Sequence, residues 1–153
     1  MLNNDVLRSI RFMLETDDTG LAAMVKLGGG TVTRAEVTAF LEPEDSPGYV
    51  ACDDRTMSCF LDGLIIHRRG KEQGAPPRPI EKTITNNAVL KKLRVAFELK
   101  EEDLLGLMAA SGFQVSKPEV SALFRNPAHK NFRAAGDQFL RNFLKSLTAR
   151  VRG

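Results

Sequence analysis

The hydrophobic positions of this chain recur at helical spacing, and they recur twice. Val6, Leu7, Ile10 and Leu14 form one stripe; Val89, Leu90, Leu93 and Phe97 form another at the corresponding place further on. An Asn pair precedes each stripe, Asn3-Asn4 and Asn86-Asn87, and predicts an N-cap. A second helix opens on acidic residues, Asp17-Asp18 or Glu101-Glu102-Asp103, which suit the positive end of a helix dipole. It carries Leu21, Met24 and Val25, or Leu104, Leu107 and Met108, and stops at Gly28-Gly29-Gly30 or Gly112. The third helix opens on a capping box, Thr33-Arg34-Ala35-Glu36 or Ser116-Lys117-Pro118-Glu119. Its buried stripe is Val37, Phe40 and Leu41, or Val120, Leu123 and Phe124. Pro118 falls in the first turn, where a missing N–H is harmless. The fourth helix is the most apolar, with Phe60, Leu61, Leu64 and Ile65 answered by Phe143, Leu144, Leu147 and Val151.

The offset between the two series is 86 − 3 = 83 positions, and it holds without a gap to the end of the chain. Glu36-Val37 meet Glu119-Val120, Phe60-Leu61 meet Phe143-Leu144, and Arg69-Gly70 meet Arg152-Gly153. Self-similarity of this kind marks a duplicated domain. The expectation is an all-α fold: a tandem duplication of a roughly four-helix module with pseudo-two-fold symmetry. Residues 1–70 form the first repeat and residues 86–153 the second. Between them lies 71–85, a Pro-rich linker, in which Pro76, Pro77 and Pro79 exclude a through-helix.

Composition adds little until it is split by repeat. With 42% hydrophobic and 27% charged residues the chain is ordinary for a globular protein. No export signal or membrane-length apolar run is present, so a cytoplasmic location and no membrane partner are expected. The net charge of +3 conceals an imbalance. Residues 3–70 hold seven Lys/Arg against eleven Asp/Glu, a net of −4; residues 86–153 hold twelve against six, a net of +6. Either the two halves dock or steer each other, or the basic half meets a polyanion.

Several motifs together carry a family resemblance. They are Met1-Leu2-Asn3-Asn4-Asp5, Phe60-Leu61-Asp62-Gly63-Leu64-Ile65, Asn86-Asn87, Leu90-Lys91-Lys92-Leu93-Arg94, and the run from His129-Lys130-Asn131-Phe132-Arg133 to Phe143-Leu144. The set resembles the YehS-like family of small bacterial proteins, built from two copies of a domain of unknown function. The resemblance covers essentially the whole chain and departs mainly in a longer, more proline-rich linker. It implies a bacterial cytoplasmic protein of tandem helical architecture. It supplies no activity, cofactor or catalytic residue.

Candidate chemistry is thin. Gly28-Gly29-Gly30 follow a helix instead of preceding one, which is a helix stop and not a phosphate loop. Cys52, Cys59, His67 and His129 are the soft or imidazole ligands. On one helix, seven residues separate the two cysteines by about 10 Å, too far for one tetrahedral ion. No metal, cofactor or disulfide is expected, and Cys59 reads as an apolar core residue. Asp53, Asp54 and Asp137 precede apolar helical runs and read as caps. No nucleophile, base and orienter converge, so no catalytic residue is assigned and the protein is read as non-enzymatic.

Two interaction readings remain. The first is a protein-interaction or adaptor module, whose partner is another protein or a second copy of the chain. In it Asp62 and Lys145, at equivalent positions of the fourth helices, are candidates for an inter-repeat contact. The alternative is nucleic-acid binding through a helix-turn-helix-like outline, residues 101–112 and 116–125. Lys117, Ser121 and Arg125 would line one helix face, continued by His129, Lys130 and Arg133. The matching face of the first repeat, Arg34, Thr38 and Glu42 leading to Glu44-Asp45, would repel phosphate, so the surface would belong to the second repeat alone.

Overall fold

The computed structural model describes residues 1–70 and 79–153, and the described residues contain eight helices and no strand. They are α1 (Asn3–Leu14), α2 (Asp18–Leu27), α3 (Arg34–Leu41), α4 (Asp54–Arg69), α5 (Asn86–Ala96), α6 (Glu101–Ala110), α7 (Lys117–Leu123) and α8 (Asp137–Arg152). The chain divides into two units, Met1–Ile84 and Thr85–Gly153, with four helices each. Within the first, α2 packs on α4 and α3, and α1 on α3. Within the second, α6 packs on α8 and α7, and α5 on α8. This is a tandem duplication of one all-helical module.

The two cores match at most positions. Val6, Leu7, Ile10 and Met13 of α1 are buried, as are Val89, Leu90, Leu93 and Ala96 of α5. Leu21, Met24 and Val25 match Leu104, Leu107 and Met108; Val37 and Phe40 match Val120 and Leu123. In the last helices Met57, Phe60, Leu61 and Leu64 match Leu140, Phe143, Leu144 and Leu147. The first stripe ends on Met13 and Ala96, one residue earlier than the Leu14 and Phe97 of the sequence pattern. The reason is that α1 closes in a tight turn in which Glu15 takes a left-handed φ of 52°. Glu98, its counterpart, takes the same φ of 52°.

Caps explain where most helices start. Thr33 and Ser116 accept from the N–H groups of Glu36 and Glu119, whose carboxylates accept in return, so both capping boxes form. Asp17 accepts from Gly20 N, and Asp53 from Thr56 N. The turn after α2 reverses at Gly29, φ 94°, and that after α6 at Gly112, φ 81°. The first helices differ from expectation. Leu2 and Thr85 occupy the N-cap positions of α1 and α5, and the Asn pairs lie inside the first turn. Their side chains are used elsewhere, as described below.

The two modules part company at their last helix. Residues 57–65 of α4 are buried without interruption, whereas α8 is amphipathic. Two features of the first module account for this. Gly63 and Gly28 let the α2 and α4 backbones meet, because a Cβ on Gly63 would strike the Met24 carbonyl and one on Gly28 that of Cys59. The second module has Ser146 and Ser111 at those positions. In addition, residues 80–84 run along α4: Ile84 N donates to Asp54 Oδ2 at 3.1 Å and Glu81 N to Ser58 Oγ at 3.1 Å. Of the expected linker 71–85, residues 71–78 lie outside the described residues, and residues 80–84 belong with the first unit.

Candidate functional site

The Asn pairs build the most distinctive polar structure in each module. Asn4, only 1% exposed, donates from Nδ2 to the carbonyls of Phe40 and Val50, both at 2.9 Å. Its Oδ1 accepts from Cys52 N at 3.0 Å. Asn3 Nδ2 donates to Cys52 O at 3.0 Å and to Asp54 Oδ1 at 2.8 Å. Each bond returns 83 residues later. Asn87 Nδ2 donates to Leu123 O at 2.9 Å and Arg133 O at 2.8 Å, and Asn87 Oδ1 accepts from Ala135 N at 2.8 Å. Asn86 Nδ2 donates to Ala135 O at 3.0 Å and Asp137 Oδ1 at 2.9 Å. An amide side chain carries both donor and acceptor, so one residue can clamp the end of a helix and the far end of a loop at once.

The clamped segments are the α3–α4 loop, residues 42–53, and the α7–α8 loop, residues 125–136. Their backbones follow the same path. Ser46 N, Tyr49 N and Val50 N donate to Pro43 O, Ser46 O and Ala39 O. Correspondingly, His129 N, Phe132 N and Arg133 N donate to Asn126 O, His129 O and Ala122 O. The exteriors have diverged. The first loop exposes Glu44, Asp45 and Val50; the second exposes His129, Lys130, Asn131 and Arg133. Arg8 reinforces the first loop, donating to the carbonyls of Leu41 at 3.4 Å and Glu42 at 2.5 Å and pairing with Asp5 at 3.1 Å. In the second module that position is Lys91, which is exposed, and Arg94 lies over the Phe124 ring instead, 4.7 Å from its centroid.

Of the three residues expected on one helix face, Lys117 and Ser121 lie on α7 and Arg125 does not. Lys117 is exposed at the start of α7 and Ser121 is half-buried within it. The helix ends at Leu123 with Phe124 as its cap, so Arg125 lies beyond it and is half-buried. At seven residues α7 rises about 10 Å, roughly two turns. His129, Lys130 and Arg133 sit on the clamped loop. His129 Nδ1 accepts from Asn131 N at 3.0 Å, which ties the imidazole into the loop. Arg133 pairs with Glu119 at 3.0 Å, so its charge is answered locally. The Glu119 carboxyl is held below its ordinary value by the Ser116 N–H, then the Ser116 hydroxyl, then the Arg133 guanidinium. The structure therefore gathers Lys117, Glu119 and Arg133 near the start of α7, with His129 and Lys130 along the loop.

The remaining candidates serve the framework. Asp53 caps α4, and its carboxyl is lowered chiefly by hydrogen bonding to Thr56. Asp54 and Asp137 are inside the first turn of their helices and accept from Asn3 and Asn86, so they are clamp acceptors and not the expected caps. Cys52 is a buried thiol pushed up to about 12, first by burial and then by Asp53 and Asp54, which keeps it protonated and unreactive. Cys59 is buried on α4. Asp62 is buried at 3% exposure, while Lys145, at the equivalent place on α8, is exposed. Among the described residues no three His, Cys, Asp or Glu side chains gather in a group fit for a metal ion. Nor is any described helix long and apolar enough to cross a membrane. The clamp asparagines had a legible signal, two identical Asn pairs at the repeat offset, but a polar pair beside an apolar stripe reads as a cap until the loop is seen.

Comparison with known proteins agrees with the internal repeat. A family model described as a protein of unknown function, DUF1456, matches twice, over residues 3–70 and 86–153. The chain is 47% identical over 150 residues to an uncharacterized protein, YehS, of Escherichia coli (strain K12), covering 98% of this chain and 96% of that relative. No solved structure matches. The chain belongs to the DUF1456 family and carries two copies of its domain.

Proposed function

We propose that the protein is a non-enzymatic cytoplasmic interaction module that recognises a protein partner through its two clamped loops. One observation carries this reading: the two loops share three backbone turn bonds and their clamp bonds, yet their exposed residues have changed from acidic to basic. A loop whose shape is fixed before binding loses little conformational freedom on contact, so its side chains can set affinity and specificity. The clamp asparagines and the α3 and α7 ends they grip are buried or half-buried, and Glu44, Asp45 and Lys130 stand exposed at the exterior.

Nucleic-acid binding through the second repeat is the weaker reading on these geometries. A two-turn α7 that ends before Arg125, and an Arg133 paired with Glu119, leave Lys117 and Lys130 as a small cationic set. The two readings separate by experiment. The full chain is used as bait in a lysate of its own host after nuclease treatment, beside variants carrying Glu44→Lys with Asp45→Lys, or His129→Glu with Lys130→Glu. The expected result is a defined protein retained by the parent chain and lost by at least one loop variant. Capture that ignores both variants would remove the loops from the reading. Capture that disappears with nuclease, together with retardation of nucleic acid that falls steeply with salt, would favour the alternative.

A further inference from the structure

We infer that Asp54 is a joint that ties the clamped α3–α4 loop to residues 80–84, so that loosening one loosens the other. The inference goes beyond the recognition reading and does not depend on it, because every bond it uses belongs to the framework of the first unit. Asn3 Nδ2 donates one hydrogen to Cys52 O at 3.0 Å and the other to Asp54 Oδ1 at 2.8 Å. Asp54 Oδ2 accepts from Ile84 N at 3.1 Å. A carbonyl of the loop, one amide, one carboxylate and an N–H of the 80–84 segment therefore stand in one line. The amide and the carboxylate are both planar and both half-buried, so turning either toward one partner draws it away from the other. Groups strung in this way polarise and strengthen one another, and losing one bond weakens the next.

Residues 80–84 are the part of this line most able to respond. Glu81, Lys82 and Thr83 are exposed, and Ile80 and Ile84 are half-buried, Ile80 lying beside the Gly29 turn. On α4 the segment meets side-chain acceptors one turn apart: Asp54 for Ile84 N, and the buried Ser58 hydroxyl for Glu81 N at 3.1 Å. A short segment with little buried surface opens at the low end of local stability. This pair of acceptors belongs to the first module alone. The position of Ser58 is Arg141 in the second, and a guanidinium accepts no hydrogen bond. Residues 80–84 lead directly into Thr85, the N-cap of α5. A change at the α3–α4 loop is thereby passed to the segment that opens the second repeat, and by linkage the effect runs equally in reverse.

Amide hydrogen exchange on the full chain tests this at Ile84 and Cys52, with Leu61 of the α4 core as the standard for a folded first module. Asn3→Ala shares no hydrogen bond with Ile84 and puts a good helix former into α1. It should still speed exchange of the Ile84 N–H by at least about fivefold, the factor that loss of one ordinary hydrogen bond gives, with Leu61 unchanged. Asp54→Ala should free Ile84 directly, and on that background Asn3→Ala should not speed it further. If Asp54→Ala disturbs Leu61, Asp54→Asn serves the same comparison, since it leaves one oxygen for two donors. In the reverse direction Ser58→Ala, which removes the acceptor of Glu81 N, should speed exchange at Cys52. Four results would each overturn the inference: an Ile84 amide unprotected in the parent, an Ile84 rate that ignores Asn3→Ala, a rise of equal size with and without Asp54, or a Cys52 rate that ignores Ser58→Ala. None of the four bears on capture of a partner by the loops, so the recognition reading stands or falls separately.

Discussion

Asn4 is where a single side chain holds the most. It sits at 1% exposure and satisfies two carbonyls and one N–H, on Phe40, Val50 and Cys52. Asn4→Asp keeps the shape but replaces the donating amide with oxygen, so the two carbonyls face a lone-pair oxygen. A loss on the order of 3 kcal/mol is expected in urea unfolding, close to that of Asn4→Ala despite the isosteric change. Asn87 is only half-buried, so Asn87→Asp should cost less. Glu119 makes a different point. Its folded carboxyl titrates below the ordinary 4.5, so its stabilising effect is present above that pH and is lost as pH falls through the lower folded value. Glu119→Gln keeps a capping acceptor without the charge. The melting temperature of the variant should therefore fall less than the parent's between about pH 5 and about pH 3. Cys52, held as a thiol at about 12, should resist alkylation at pH 8 until the chain is unfolded, which mass spectrometry of the native protein would check. At this scale the sequence was half legible. Thr33, Ser116 and Asp53 announce themselves as caps because their bonds are local. The Asn pairs do not, because their partners lie more than thirty residues away and only the folded loop brings them together.

Helices are the scale at which apolar periodicity speaks most clearly, and also the scale at which the copies diverge. The stripes of α1, α2 and α3 and their counterparts follow from spacing except at the last position, where Leu14, Leu41, Phe97 and Phe124 are only half-buried. The end of α7 does not, since Phe124 continues the apolar pattern after the backbone has left the helix. That one turn removed Arg125 from the expected face. The contrast between α4 and α8 is invisible to periodicity, because it depends on close backbone approach and on residues 80–84 lying along α4. It is open to test. Gly63→Ala would drive a methyl into the Met24 carbonyl, while Ser146→Ala alters an equivalent position with no such approach to preserve. The first should cost about 3 kcal/mol in chemical unfolding and the second under about 1 kcal/mol. Equal effects would mean that the two helix pairs pack alike.

Across the whole chain, duplication was the most legible feature of all, because an ungapped offset of 83 residues leaves most core positions and the three loop turn bonds with a twin. The charge split was legible as well, but only the structure assigns part of it to two loops of one shape. What the sequence could not supply was rigidity: Pro43-Glu44-Asp45-Ser46-Pro47-Gly48 reads as an ordinary polar connection. The central claim is that one clamp, used twice, holds two oppositely charged loops in a fixed form. Amide hydrogen exchange on the full chain measures this directly at Val50, Cys52, Arg133 and Ala135. All four amides should be protected in the parent, Asn4→Ala should release only the first two, and Asn87→Ala only the last two. Exchange at the rate of an unstructured peptide in the parent chain would contradict the claim.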